Sequence, residues 1–252
     1  MTWVLDLDGV VWLADDPIPG SADAIARVRS EGAGVVFVTN NSSATVAEYL
    51  SKLERCGVPA TDDDLITSAQ AAAMLVEQGE TVLVCAGPGV DEALVARGAT
   101  PVRDGAADAV IVGWYRDFDF ARLTAAHDAV RGGARLIGTN DDATYPTPSG
   151  PLPGGGALLA AVAYASGATP VVAGKPFPPI VDLLRARVAD VELMVGDRPS
   201  TDGLLARRLG VPFALVLSGV TAEDGPVEPR PDVVARDLAG LVDQKYGRSA
   251  AY

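Results

Sequence analysis

Along the chain, short valine-rich apolar runs alternate with stretches whose apolar residues recur every three to four positions. The runs read as buried strands and the longer stretches as amphipathic helices. Val4–Asp6, Val35–Val38, Val82–Cys85, Ala109–Val112, Leu136–Gly138, Val171–Ala173, Leu193–Val195 and Phe213–Val216 fit the strand pattern. Helices are predicted over Ser21–Glu31, from Thr45 to Gly57, and over Ser68–Gln78, Val90–Ala96, Phe120–Val130, Leu158–Ala165, Pro179–Val188 and Thr201–Leu209. Thr45-Val46-Ala47-Glu48 fits a capping box, and Gly57 just before Pro59 is a stop signal. Tyr145–Gly156 and Gly225–Pro231 read as loops, Val233–Val242 as a strand edge with a helix, and Lys245–Tyr252 as a frayed end. The alternation predicts an α/β fold in three layers, parallel strands covered by helices on both faces.

Composition narrows the functional classes. The 252 residues are 48% apolar and 21% charged, enough for a sizeable core. A net charge of −13 disfavours nucleic acid and anionic membrane surfaces as partners. The apolar stretch from Gly156 to Ala165 is too short to span a bilayer. Cys56 and Cys85 have no metal-ligand spacing, and the N-terminus is not signal-like, so free thiols in the cytoplasm are expected. The single histidine, His127, falls in a predicted helix, which disfavours Ser-His-Asp, histidine-nucleophile and multi-histidine zinc chemistry.

Four segments place unusual polar residues directly after predicted strands: Asp6-Leu7-Asp8-Gly9, Thr39-Asn40-Asn41-Ser42, Gly174-Lys175-Pro176 and Gly196-Asp197-Arg198 with Asp202 beyond it. Singly, each has an ordinary explanation: a helix cap, a turn, a solvated lysine, a Gly-Asp turn. In a parallel sheet, however, all four loops fall on one edge, where ligands bind. Together they predict one pocket holding carboxylates, a hydroxyl, amides and an ammonium. Adjacent acids need a cation, oxygen ligands suit Mg²⁺, and aspartate can act as a covalent nucleophile for phosphoryl groups. Ala86-Gly87-Pro88-Gly89 lacks a full dinucleotide fingerprint, and Gly154-Gly155-Gly156 fits either an anion-binding helix start or a hinge.

In this order the four segments resemble the signature motifs of the haloacid dehalogenase (HAD) superfamily, in its phosphatase branch. The phrases Asp6-Leu7-Asp8-Gly9-Val10-Val11-Trp12, Gly138-Thr139-Asn140-Asp141 and Pro153-Gly154-Gly155-Gly156 resemble the class IIA subgroup, which includes 4-nitrophenyl phosphatases, phosphoglycolate phosphatases and nucleotide phosphatases. The resemblance implies a Rossmann-like core, residues 1–80 and 170–252, with an inserted α/β cap of the C2 type over 81–169. It implies Asp6 as nucleophile, and Asp8 as general acid and then base. Mg²⁺ would be held by Asp6, the Asp8 carbonyl and Asp197, with Asp202 supporting. Thr39 and the main chain of Asn40 and Asn41 would grip the phosphoryl group, and Lys175 would neutralise charge.

The expected activity is hydrolysis of small phosphomonoesters, such as sugar phosphates, glycerol phosphate, phosphoglycolate or nucleoside monophosphates. A phosphotransferase, a mutase or a non-hydrolytic binding protein of the same fold is the alternative. Asp8 makes dehalogenation improbable, because dehalogenases normally lack that acid. The loop Asn140–Pro146 is the candidate for meeting the leaving group. Its Tyr145 stands where some relatives place a histidine, and is read either as a substrate contact or as a hinge residue packed on proline. A homodimer through the cap is the family-level expectation.

Overall fold

In the computed structural model, described for residues 1–145, 147, 150–221 and 227–247, two parallel sheets share the chain. The first part runs β1 (Thr2–Asp6), the hairpin β2 (Trp12–Leu13) and β3 (Asp16–Pro17), α1 (Ser21–Ser30), β4 (Gly34–Thr39), α2 (Val46–Arg55), β5 (Leu65–Thr67) and α3 (Ser68–Ala73). The middle holds β6 (Thr81–Cys85), α4 (Pro88–Arg97), β7 (Thr100–Val102), β8 (Ala109–Val112), α5 (Phe120–Arg131), β9 (Arg135–Gly138), the hairpin β10 (Thr144–Tyr145) and β11 (Leu152–Pro153), α6 (Gly155–Ser166) and β12 (Val171–Val172). The last part is α7 (Pro178–Arg187), β13 (Val191–Gly196), a π-helical turn at Pro199–Gly203, α8 (Leu204–Leu209), β14 (Phe213–Val216), β15 (Val233–Ala235) and α9 (Leu238–Tyr246).

The larger sheet has the order β15-β14-β13-β1-β4-β5, with every pairing parallel. Successive side chains in each strand point to opposite faces. Trp3 and Leu5, Val35 and Phe37, and Leu193 and Val195 therefore enter one apolar core against α1, α2 and α9. Val4, Val36, Val38, Met194, Phe213 and Leu215 enter the other, against α3, α7 and α8. That second core continues into Val82, Val84, Ile111 and Ile137 of the smaller sheet, whose order is β12-β9-β8-β6-β7. The far face of the smaller sheet packs on α5 and α6. An α/β core with a cap follows, its two sheets joined by shared apolar contacts.

Local chemistry explains the element ends. The Thr45 amide donates to Glu48 Oε2 at 2.8 Å and the Glu48 amide to Thr45 Oγ1 at 3.3 Å, the expected capping box. Thr67 caps α3 in the same way with Gln70. The Ala86–Gly89 segment is a packing device: a Cβ on Gly89 would lie 2.1 Å from the Ala44 carbonyl oxygen, so α4 reaches the core only through glycine. Among the described residues no helix is long and apolar enough to cross a membrane.

Several expectations shift. Val171 and Val172 pair with Ile137 and Gly138, so the strand expected to open the returning core is an edge strand of the smaller sheet. Lys175 accordingly sits where the chain leaves the cap, and does not follow a strand of the larger sheet. The helix expected to run to Gln78 ends at Ala73, where the chain turns and buries Val76. β5 is hidden in sequence between an acidic run and the cap of α3. β7 is hidden by Pro101, which an edge strand tolerates because its missing N–H faces outward. The loop read over Tyr145–Gly156 contains the β10–β11 hairpin, although Pro146 lies outside the described residues, as do Gly225, Pro226 and residues 248–252.

Phe37 sits fully buried in β4 and packs in the α1/α2/α9 core. Phe37→Ala is expected to lower unfolding free energy by about 3–5 kcal/mol, read from urea denaturation.

Candidate active site

The sheet order makes the site. β1 is followed outward by β4 and β5 on one side, while β13, β14 and β15 extend from it on the other. The crevice at the carboxyl ends of β1 and β13 is therefore the point where the strand order reverses, the usual ligand position in open α/β sheets. Asp6 ends β1, and Asp197 follows the last residue of β13. Thr39 ends the neighbouring β4.

Lys175 is the electrostatic centre. Its ammonium lies 2.8 Å from Asp6 Oδ1 and 2.7 Å from Asp202 Oδ1, and all three side chains are buried. Asp6 Oδ1 also accepts the Leu7 amide at 2.8 Å. Asp202 Oδ2 accepts the Arg198 amide at 3.0 Å, which folds the Arg198–Asp202 turn back on itself. Burial alone would lower the Lys175 ammonium, but Asp202 and Asp6 outweigh it and push it up, so the lysine stays charged.

Asp197 faces the same space. Its Oδ2 accepts the Val220 amide at 2.7 Å, and Thr221 Oγ1 donates to its carbonyl at 2.5 Å. Burial, then the neighbouring Asp202, push its carboxyl up to about 7. Burial likewise raises Asp6 well above the ordinary carboxylate range; Lys175 opposes that shift, while Asp202 and Asp197 add to it. Carboxylate oxygens of Asp6, Asp197 and Asp202 all lie within 4.8 Å of one another. Three buried carboxylates with only one ammonium among them suit a hard divalent cation, so the donor set fits Mg²⁺. Gly9 permits this approach: it adopts φ 84°, and a Cβ there would lie 2.4 Å from Asp197 Oδ2.

Asp8 stands apart from the carboxylate cluster. Its Oδ1 accepts Trp12 Nε1 at 3.2 Å, and burial raises its carboxyl above the ordinary value, against the opposing pull of Lys52. A carboxyl so placed holds its proton closer to neutrality, as a general acid requires.

The amide-bearing loop is braced from several directions. Thr39 Oγ1 accepts the Asn41 amide at 3.1 Å, which closes the loop on itself. The Tyr49 hydroxyl donates to the Asn41 carbonyl at 2.6 Å. Asn40 Oδ1 accepts the Lys175 amide at 2.7 Å, while its Nδ2 donates to the Lys175 carbonyl at 3.1 Å and to Asp142 Oδ2 at 3.0 Å. Asn40 thereby couples the lysine to the cap.

Asp142 completes that bridge by pairing with the Arg198 guanidinium at 3.2 Å. The pocket beneath encloses about 60 Å³, and its cap side includes Trp114, Asn140, Thr144 and Tyr145. Tyr145 does line it, stacked on Trp114 with ring centroids 4.6 Å apart. All the sequence-predicted residues except Asp202 line this pocket, and Asp202 stands behind Lys175. Trp114, Asp142 and Arg198 also line the pocket, and the sequence did not assign them a role. Arg198 had a signal, beside Asp197, and Asp142 one, inside the candidate loop; Trp114 follows an ordinary apolar strand and gave none.

Residues 3–100 match the profile of the haloacid dehalogenase-like hydrolase family, and residues 172–241 match a HAD-hydrolase-like profile. The chain belongs to this family. It is 37% identical over 250 residues to the D-glycerol 3-phosphate phosphatase of Mycobacterium tuberculosis, covering 94% of this chain and 70% of that protein. It is 34% identical to the acid sugar phosphatase of Staphylococcus saprophyticus, with 88% of each covered. The 4-nitrophenylphosphatase of Thermotoga maritima superposes with a TM-score of 0.89 at 30% identity, over 98% of this chain and 97% of that one. The glycerol phosphate phosphatase of Mycobacterium tuberculosis in complex with magnesium superposes with a TM-score of 0.85 at 36% identity, over 95% of this chain and 75% of that one.

Asp197 titrates at about 7 in the folded chain against an ordinary value of 3.8, so the folded state binds more protons between those values. Metal-free stability from this group is intact below pH 4 and is lost as pH rises through 7. In EDTA, Asp197→Asn is expected to exceed wild type in stability above pH 7 by on the order of 2–4 kcal/mol. The advantage disappears near pH 4, as read from thermal melts across that range.

Proposed function

We propose that the chain is a Mg²⁺-dependent phosphatase that hydrolyses small phosphomonoesters through a phosphoryl group carried on Asp6. The observation that carries this reading is the buried Lys175 ammonium shared by Asp6 and Asp202, with the Asp197 carboxylate beside them. A cation so held fixes the Asp6 carboxylate at the strand tip and offsets the charge of an arriving phosphate.

An Asp6 carboxylate oxygen attacks phosphorus as the bond from phosphorus to the alcohol oxygen breaks. The Asp8 carboxyl gives its proton to the departing alkoxide, releasing a neutral alcohol. Asp8, now a carboxylate, takes a proton from water as the water oxygen attacks the same phosphorus. The bond to Asp6 breaks, inorganic phosphate leaves, and both aspartates regain their starting states. Asp6, the Asp8 carbonyl and Asp197, with Asp202 in support, would hold Mg²⁺, which would supply positive charge to the phosphoryl oxygens. Thr39 and the Asn40–Asn41 main chain orient the group in line with Asp6, and the cap excludes water until the alcohol has left. The substrate this reading assigns is a small phosphorylated metabolite.

The test is phosphate release from a phosphomonoester panel with Mg²⁺ or EDTA. Asp6→Asn is expected to abolish release, and Asp8→Asn to lower kcat by about 10²–10⁴-fold. Release that survives Asp6→Asn would move the chemistry away from Asp6. Phosphate appearing on an added alcohol in place of water would make the protein a phosphotransferase.

A further inference from the structure

The Asp8 side chain is steered by a single bond. Its backbone is pinned by the turn that follows β1, where the Gly9 amide donates to the Trp12 carbonyl at 2.7 Å and the Val11 amide to the Leu7 carbonyl at 2.9 Å. Among the described residues the carboxyl has one hydrogen bond, which Oδ1 accepts from Trp12 Nε1 at 3.2 Å. The doubly bonded oxygen of a carboxylic acid is its better acceptor, so this contact favours a proton on Oδ2. Oδ2 has no partner among the described residues, and Asp8 lines the pocket.

Trp12 does not itself line that pocket. Its indole is 1% exposed and packs in the α1/α2/α9 core, where a buried N–H needs an acceptor. One face of the ring is covered by Lys52 of α2, whose ammonium lies 4.3 Å from the ring centroid. The same ammonium donates to the Ala14 carbonyl at 2.5 Å. Ala14 turns the β2–β3 hairpin with φ 52°, and among the described residues it is the only non-glycine with positive φ. A residue with a Cβ keeps that conformation where its surroundings hold it. Lys52 thus grips the hairpin at two points, the Trp12 ring and the turn. Its one ion pair among the described residues is with fully exposed Asp15 at 3.8 Å, a contact of little energetic weight. Tyr49, three residues earlier on the same helix face, donates to the Asn41 carbonyl at 2.6 Å. One helix therefore braces both the amide-bearing loop and the hairpin beside Asp8.

We infer that Trp12 and Lys52 position the Asp8 carboxyl for proton transfer to the leaving group, Trp12 through its indole N–H and Lys52 by fixing that indole. This rests on the phosphatase reading above. The Oδ2–H bond breaks as the proton passes to the departing alkoxide oxygen, and the electron pair stays on Asp8 as a carboxylate. A hydrogen bond to a charged acceptor is stronger than one to a neutral acid, so the Trp12 contact tightens as the proton leaves. The contact therefore favours the transition state over the ground state. Its effect depends on the leaving group: an alkoxide needs the proton, whereas 4-nitrophenolate departs as a stable anion.

The experiment measures kcat/KM with Mg²⁺ for glycerol 3-phosphate, phenyl phosphate and 4-nitrophenyl phosphate in wild type, Trp12→Phe, Lys52→Met and Lys52→Arg. Departure of the alcohol is the last step that kcat/KM contains, so the later attack by water does not enter it. Trp12→Phe keeps a buried ring and removes the N–H. It is expected to lower kcat/KM by about 10–100-fold for glycerol 3-phosphate and by less than about threefold for 4-nitrophenyl phosphate, with phenyl phosphate between them. Lys52→Met is expected to show the same graded loss at smaller size, and Lys52→Arg, which keeps the charge, to recover most of it. Equal losses across the three substrates overturn the inference, because a merely structural defect does not sense the leaving group. If Trp12→Phe fails to fold, the half-buried Lys52 decides: a graded loss in Lys52→Met upholds the inference and a uniform one overturns it. Wild-type turnover of 4-nitrophenyl phosphate alone also overturns it, since no acid would then assist departure. Absence of phosphate release from all three by wild type sinks the phosphatase reading itself, a result distinct from turnover with uniform losses.

Discussion

The buried ammonium of Lys175 is the constraint on which the site depends. It lies within 2.8 Å of Asp6 and 2.7 Å of Asp202, and each of those carboxylates would be costly to bury alone. The lysine is held by its own main chain as well, since Asn40 bonds both its amide and its carbonyl. Because Lys175 occupies the segment that returns from the cap, the charge balance of the core is set at the cap's exit. Asn40 then links this point to Asp142, and Asp142 to Arg198, one residue beyond Asp197. Carboxylates, lysine and cap loop thus form one connected polar unit, in which displacement of any member disturbs the others.

Parallel topology is what brings the parts of that unit together. Strand tips aligned on one edge place Asp6, Thr39 and Asp197 side by side although they are far apart in sequence. The alternation of side chains across the larger sheet makes this placement rigid, since Trp3 and Leu5 enter one core while Val4 enters the other. A slip of one residue in β1 would carry both sets to the wrong face, so Asp6 is registered by the packing of its own strand.

Much of this was legible in sequence, for identifiable reasons. Fully buried parallel strands leave continuous valine runs, which is why β1, β4, β6, β8 and β14 stand out. Asp6, Asp8 and Asp197 were visible because acids and glycines at strand ends break that apolar pattern. Short strands were not visible: β5 carries only Leu65–Thr67 between an acidic turn and a helix cap, and β7 contains a proline. The pairing of Val171–Val172 was also invisible, because a valine pair looks the same whichever sheet it joins. Asp142 and Arg198 show a different limit. Each is an ordinary charged residue in a loop, and only their meeting across 56 positions of sequence gives them a role.

The two ways in which the cap meets the core differ in cost. On the side of α3, α4 and α7 the sheets share fully buried Val82, Val84, Val90, Leu94, Ile180 and Leu184, whose separation would expose a continuous apolar surface. On the pocket side the connection is polar, made by Asn40, Asp142 and Arg198, groups that water can satisfy when they part. Each fully buried apolar side chain re-exposed costs about 1.5–3 kcal/mol, whereas polar groups that part exchange their partners for water, so each hydrogen bond is worth only about 1 kcal/mol net. Parting the two sheets therefore costs least at the polar edge and most along the apolar side.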